Sequence, residues 1–274
     1  MNEVRYERLR PAQIVEARTA VPVAYLPIGT IEWHGEHNPV GLDTLKIHAL
    51  AIRCAQRTGG LVFPPLYYGE SRETALMEAN AYDRNRIAEK MGLSSENFDA
   101  GYMGTTIVEH TLSYQRLLLH ILYEIASLGF RVIAIAAGHY PLIDYARAAA
   151  CLFHQTTRVQ PKPLVWAFTG YELVQDAGFD VCGDHAGKWE TSMLMALDPG
   201  MQDLDVLRAS DKPPIGASNN NILESTPEFG ERAVALMSRQ RGIEPQRRRN
   251  AQYQHRDEHQ HGEQGRAADD QELS

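Results

Sequence analysis

Three apolar runs rich in strand-forming residues each end at a glycine or just before one: "VPVAYLPIG" (21–29), "RVIAIAAGH" (131–139) and "PLVWAFTG" (163–170). A short fourth run, "LVFPPLYYG" (61–69), leads into a loop. Between them lie segments with apolar residues at helical spacing, chiefly "DTLKIHALAIRCAQRTGG" with its glycine stop and "YQRLLLHILYEIASLGF". Strands that alternate with helices need crossover connections, so the pattern predicts an α/β fold: a three-layer α/β/α arrangement around a mostly parallel sheet. Ligands of such sheets bind beyond the carboxyl ends of the strands. Residues that follow the runs are therefore the ones to read for chemistry.

Two segments depart from this alternation. Residues 74–100, "TALMEANAYDRNRIAEKMGLSSENFDA", read as a helical insertion near the expected site, either a lid or an oligomer contact. Beyond Gly242 the chain has almost no aliphatic residues and many charges and glutamines, so residues 243–274 read as a disordered polar tail on a single domain spanning 1–242. His255, His259 and His261 in that tail read as solvated side chains rather than metal ligands. A net charge of −8 argues against a nucleic-acid footprint. The absence of a long apolar stretch argues against a membrane partner. Cys54, Cys151 and Cys182 are odd in number and lack CxxC spacing, so a disulfide framework is not expected and the cytoplasm is the simplest address.

The first strand opens onto "TIEWHGEHNPVGLD", which crowds Glu32, His34, Glu36, His37 and Asp43 together. Glu32 and His34 are two apart, so in extended geometry they point the same way, as two metal ligands would. Asp43 follows a Pro/Gly turn and by itself reads as the N-cap of the next helix. His139 closes the 131–139 strand and by itself reads as a hydrogen-bonded, partly buried histidine. Together the four form a mixed N/O set suited to Zn²⁺, Mn²⁺ or Fe²⁺. A third cluster, "GDHAGKWETSM", offers Asp184, His185 and Glu190. A glutamate near a helix start has an ordinary explanation in the helix dipole, and His185 taken alone fits a surface histidine.

The segments "LPIGTIEWHGEHNPVGLDT", "MGTTIVEHT", "LGFRVIAIAAGHY" and "DHAGKWETS", in that order, resemble the creatininase (creatinine amidohydrolase) family over roughly residues 21–197. The resemblance implies a two-metal amidohydrolase with Glu32 and His139 on one ion, His34 on the other and Asp43 bridging. It also implies a homo-oligomer, with a hexamer as one candidate. The chain departs from the family where Ala137 and Leu142 replace two asparagines, and Pro141 stands where creatininases proper carry a glutamate ligand. That disfavours creatinine as the substrate and leaves Glu190 as the remaining ligand for the second ion. Glu36, where the family usually has proline, reads as solvated.

The implied chemistry is hydrolysis of a non-peptide C–N bond in a small molecule, a cyclic amide or a formamide. Paired divalent ions can lower the pKa of a shared water and polarise a carbonyl. His185, titrating near neutrality, is the candidate general acid for the leaving nitrogen, with Asp184 to orient it. A second reading keeps the fold and the metal but gives up catalysis for assembly or sensing. A third takes the charges as a solvated loop face.

Overall fold

The structure, a computed structural model, describes residues 3–238 apart from 75, 176–178, 180, 181, 219 and 220. These residues belong to the first of two units into which the chain divides, Met1–Ser238 and Arg239–Ser274. The expected tail at 243–274, with His255, His259 and His261, lies outside the described residues.

Strands β1 (Val23–Ile28), β2 (Leu61–Val62), β3 (Val132–Ala137) and β4 (Leu164–Phe168) form one sheet in the order β2-β1-β3-β4, and every neighbouring pair is parallel. The predicted parallel α/β sheet is thus observed. Its second strand is cut to two residues by Pro64 and Pro65, which cannot donate to a ladder. The same break explains how Pro27 is tolerated in β1, an inner strand. Its missing N–H faces the side on which β2 has already stopped, and only its carbonyl is used, by the Leu66 N–H at 3.1 Å.

Helices α1 (Pro11–Ala20), α2 (Leu42–Thr58), α3 (Arg84–Lys90), α4 (Ile107–Ser127), α5 (Leu142–Thr156), α6 (Tyr171–Gln175), α7 (Lys188–Leu197), α8 (Asp205–Arg208) and α9 (Pro227–Met237) join the strands, with short 3-10 turns at Tyr6–Arg8, Glu78–Asn80, Ser95–Phe98 and Ile222–Glu224. Alternation along the strands divides the core. Leu26, Ile28, Ile133 and Ile135 face one side and pack against Leu118 and Leu122 of α4 and Phe153 of α5. Tyr25, Ala134 and Ala136 face the other, against Ile47 and Leu50 of α2, Met193 of α7 and Val234 of α9. Helix α4 starts seven residues before the run in "YQRLLLHILYEIASLGF" because Thr106 and Glu109 close a capping box: Glu109 donates its N–H to the Thr106 hydroxyl and its carboxylate accepts the Thr106 N–H.

Residues 74–100 carry short helical pieces, 78–80, α3 and 95–98. Ala79, Ile87, Ala88 and Phe98 form a small separate cluster with Trp33 and Ile215. The segment thus packs against the loop that leaves β1. No helix of the described residues is long and apolar enough to cross a membrane.

The strand order reverses its direction of growth between β1 and β3. That is where a doubly wound sheet opens a crevice at its carboxyl edge. Two glycines let the start of α2 enter it. A Cβ on Gly29, just after β1, would lie 2.7 Å from the Thr44 nitrogen, and one on Gly138, just after β3, 2.8 Å from the Asp43 carbonyl carbon. Asp43 is therefore held between the two strand ends.

Candidate metal centre

Glu32, His34, Asp43, His139 and Glu190 converge at that crevice, each no more than 4% exposed. The reading of these charges as a solvated loop face is excluded by that burial. Asp43 is not the helix cap that it resembles when read alone. Gly41 caps α2, and Asp43, inside the first turn, turns its carboxylate toward two imidazoles. Asp43 Oδ1 lies 3.4 Å from His34 Nε2, and Oδ2 accepts a hydrogen bond from His139 Nδ1 at 3.1 Å. Glu32 Oε2 approaches the same His139 nitrogen at 3.0 Å, and Glu190 Oε2 lies 3.6 Å from His34 Nε2. Two groups of potential ligand atoms result, Glu32–Asp43–His139 and His34–Asp43–Glu190, with Asp43 common to both.

Each imidazole is fixed from behind. The His34 Nδ1–H donates to the Glu32 carbonyl at 3.0 Å, which turns Nε2 toward the carboxylates. His139 Nε2 meets Glu70 Oε2 at 2.5 Å, an arrangement in which a carboxylate orients an imidazole and raises its basicity. Glu70 was not singled out by sequence reasoning. Its signal was its place at the end of "LVFPPLYYG", the run that forms β2 and the loop leading back to the same sheet edge.

The donor set fits a divalent cation. Both carboxylate oxygens of Glu32 and Nε2 of His34 are buried without a hydrogen-bond partner. Such atoms each cost about 1–3 kcal/mol unless something satisfies them. The electrostatics agree. Burial opposes charge on His34, yet Asp43, Glu190 and Glu32 raise its pKa to about 9. Burial likewise opposes charge on His139, and Asp43, Glu32 and Glu70 carry it well above its usual value. Burial raises the Glu32 carboxyl, while His34 and His139 overcome the same burial to hold Asp43 well below the ordinary range. In the absence of a metal ion the imidazoles themselves supply the positive charge.

One cation is built in. Lys46, 4% exposed, follows Asp43 by three residues on α2 and reaches Glu190 Oε1 at 2.5 Å and Asp43 Oδ1 at 3.8 Å. The lysine is held charged despite its burial, by Glu190 foremost. Sequence reasoning missed it because a lysine in a helix reads as surface. Its spacing was the available signal, since Leu42, Asp43, Lys46, Ile47 and Leu50 lie on the buried side of α2.

The third cluster arrives from the start of α7. Glu190 Oε2 accepts the Ala186 N–H at 2.9 Å, and Ala186 takes a left-handed turn (φ 54°) that folds the loop back. His37 braces this turn through the Ala186 carbonyl at 3.0 Å. His185 donates Nε2–H to the Trp33 carbonyl at 3.0 Å, and its ring centroid lies 4.5 Å from that of His34. Burial and the neighbouring His34 lower its pKa. It also stands with Glu32 and His34 in a third group of potential ligand atoms. Asp184 was expected to orient His185, and here the structure corrects the sequence reading. Its oxygens accept the N–H groups of Gly187 and Glu190 at 3.2 Å and of Trp189 at 2.8 Å, because an aspartate just ahead of a helix meets the unsatisfied first-turn donors. Trp33 is what orients His185. Glu36 is exposed and pairs with Lys90 of α3 at 2.7 Å.

His185 lines two cavities. One of about 520 Å³ is bounded by Tyr140, Tyr171, Glu172 and Asp184, and the other, of about 250 Å³, by Trp33, Glu78 and Gly216. A small molecule in either cavity would border His185.

A family model described as creatinine amidohydrolase matches residues 7–268. The chain belongs to the creatininase family. Over 216 residues, 73% of each protein, it is 27% identical to a creatinine amidohydrolase of Pseudomonas putida. Its fold matches a solved structure described as creatininase Mn with a TM-score of 0.65 at 22% identity, covering 86% of this chain and 95% of that one. It also matches a mutant creatininase of Zn-Zn type with a TM-score of 0.61 at 22% identity, covering 86% and 94%. The family is one of amidohydrolases, and the chain is an enzyme of that class. Within it, Ala137 and Leu142, the replacements for two family asparagines, are 1% and 0% exposed and pack in the core beside α5.

Proposed function

We propose that the protein is a dinuclear metal-dependent amidohydrolase that cleaves a non-peptide C–N bond, in a cyclic amide or a formamide, of a small molecule. The observation that carries this reading is Asp43, whose two oxygens address two different imidazole-containing groups from one carboxylate. Glu32 and His139 would hold one ion, His34 and Glu190 the other, and Asp43 both. Two divalent ions supply a water of lowered pKa and a polarised carbonyl. Zn²⁺, Mn²⁺ and Fe²⁺ suit the mixed N/O donors, and the similar proteins are described in Mn and Zn-Zn forms.

The chain's own part in the chemistry falls to His185. With Nε2–H on the Trp33 carbonyl and a lowered pKa, its resting form is neutral with the Nδ1 lone pair available. It takes the proton of the attacking water and passes it to the leaving nitrogen, so the general acid of the second half-reaction is charged by the first. Pro141 caps α5 where creatininases proper have a glutamate ligand, which supports a substrate other than creatinine and makes Glu190 the acidic ligand of the second site. On this reading the protein works in the cytoplasm as a homo-oligomer, and its three cysteines, all free, suit a reducing compartment. The alternative of a metal-binding protein without catalysis is less favoured, because His185 is both oriented and open to a cavity.

Elemental analysis of protein purified without chelator after growth with Mn²⁺, Zn²⁺ and Fe²⁺, followed by assays on cyclic amides and formamides, tests the proposal. About two ions per chain and turnover of one substrate class are expected. Absence of any ion sinks the metal reading, and two ions without hydrolysis favour the non-catalytic one.

A further inference from the structure

Lys46 is the one feature of the site that the two-ion reading does not use. It is 4% exposed, and its contacts are with Glu190 and with the shared Asp43. Its ammonium lies 2.5 Å from Glu190 Oε1 and 3.8 Å from Asp43 Oδ1, the oxygen on the His34 side. Glu190 Oε2 already accepts the Ala186 N–H. Of the acidic oxygens in the His34–Asp43–Glu190 group, one is thus committed to an ammonium and one is shared with a backbone donor. The Glu32–Asp43–His139 group differs. Neither oxygen of Glu32 is taken by a lysine or a backbone donor, and Oε2 stands 3.0 Å from Nδ1 of His139, a residue of the same group.

We infer that Lys46 is a positioning residue that makes the two ion sites unequal. It holds Glu190 by one oxygen and places a fixed positive charge beside the His34–Asp43–Glu190 group, so that this group binds its divalent ion more weakly than the Glu32–Asp43–His139 group. The inference rests on the metal reading above. Two effects act in the same direction. The ammonium repels a second cation at short range in a site screened from water. Glu190 must also give up or share a charge-assisted hydrogen bond to become a ligand. When the site is ion-free the same ammonium neutralises carboxylates that would otherwise be buried and unpaired. Lys46 thus stabilises the ion-free protein and opposes complete loading, and the weaker ion becomes the exchangeable one.

A lysine that served only as a structural ion-pair partner would give the opposite result on removal. Glu190 would lose its anchor, and the second ion would bind no better or worse. Chelator-treated full-length protein titrated calorimetrically with Mn²⁺ and with Zn²⁺ separates the two cases. Wild type is expected to show a tight site and a weak site. Lys46→Met is expected to tighten the weak site by about tenfold or more, a change of the size that outer groups exert on metal affinity, while the tight site stays unchanged. The rise in melting temperature on adding the ion should also be larger in Lys46→Met than in wild type, because the variant begins from a less stable ion-free state. If Lys46→Met does not fold, Lys46→Gln, which keeps an N–H donor without the charge, is judged by the same criterion. Two equal sites in wild type, or a weak site that fails to tighten in the variant that folds, overturns the inference and leaves the metal reading standing. A wild type that binds no ion overturns both.

Discussion

Gly138 passes so close to the first turn of α2 that a Cβ on it would lie 2.8 Å from the Asp43 carbonyl carbon and 2.9 Å from Ile47 Cγ2. Gly138 follows β3 and Asp43 lies in the first turn of α2, so this contact sets the distance between His139 and the carboxylate that both ligand groups share. Gly138→Ala should therefore act on the site through the backbone. Overpacking of this kind costs about 1–3 kcal/mol, and the pushed helix should carry Asp43 away from His139. Denaturant unfolding with a metal titration checks both parts. Wild-type stability together with wild-type ion affinity would mean that the contact is not needed.

Glu70 acts on the site from behind His139. Glu70→Gln replaces a carboxylate with an amide at the 2.5 Å contact to Nε2 and should weaken ion binding by about 10–100-fold. The fold should be untouched, since the glutamine retains the volume. Competition with a chelator of known affinity measures the loss. Unchanged affinity would assign Glu70 a purely structural contact.

The strands, the parallel sheet and the meeting of Glu32, His34, Asp43 and His139 at one sheet edge were legible because each depends on short-range pattern. Glycines end the runs, and Glu32, His34, Asp43 and His139 follow two of them directly. The supporting residues were not legible. Lys46 and Glu70 gain their meaning from partners 144 and 69 residues away, Glu190 and His139, and their local signals, a place on the buried side of α2 and one just past the 61–69 run, name no partner. Asp184 misled for the converse reason. Its place beside His185 in the sequence suggested a partnership, but the unsatisfied N–H groups at the start of α7 were a stronger claim on its oxygens.

Trp33 joins the metal site to residues 74–100. Its carbonyl accepts from His185, its indole N–H donates to the Ile215 carbonyl at 2.8 Å, and its ring packs in the cluster with Ile87 and Phe98. Ile87 is 1% exposed. Ile87→Ala should cost about 2–5 kcal/mol if that cluster unfolds with the core. Because the cavity borders Trp33, turnover should fall as well, without loss of ions. A variant of wild-type stability and activity would show that the cluster can be loosened without reaching His185.

The roles of Glu190 and His185 can be separated by metal content. Truncating Glu190 to alanine would leave Lys46 as an unpaired buried charge, and such breakage costs about 3–5 kcal/mol, which would mix unfolding with ion loss. Glu190→Gln avoids this. It keeps the volume and an oxygen for the Lys46 ammonium but loses the negative charge a metal ligand needs. It should lower the content from two ions to one. His185→Ala should keep both ions, since its Nε2 is spent on the Trp33 carbonyl and its task is a proton, and turnover should drop by about a hundredfold or more. His185 also lies with Glu32 and His34 within reach of a common ion, so the opposite outcome is chemically open. Should Glu190→Gln retain both ions while His185→Ala loses one, His185 is the ligand and the proton must be carried by another group at the cavity wall.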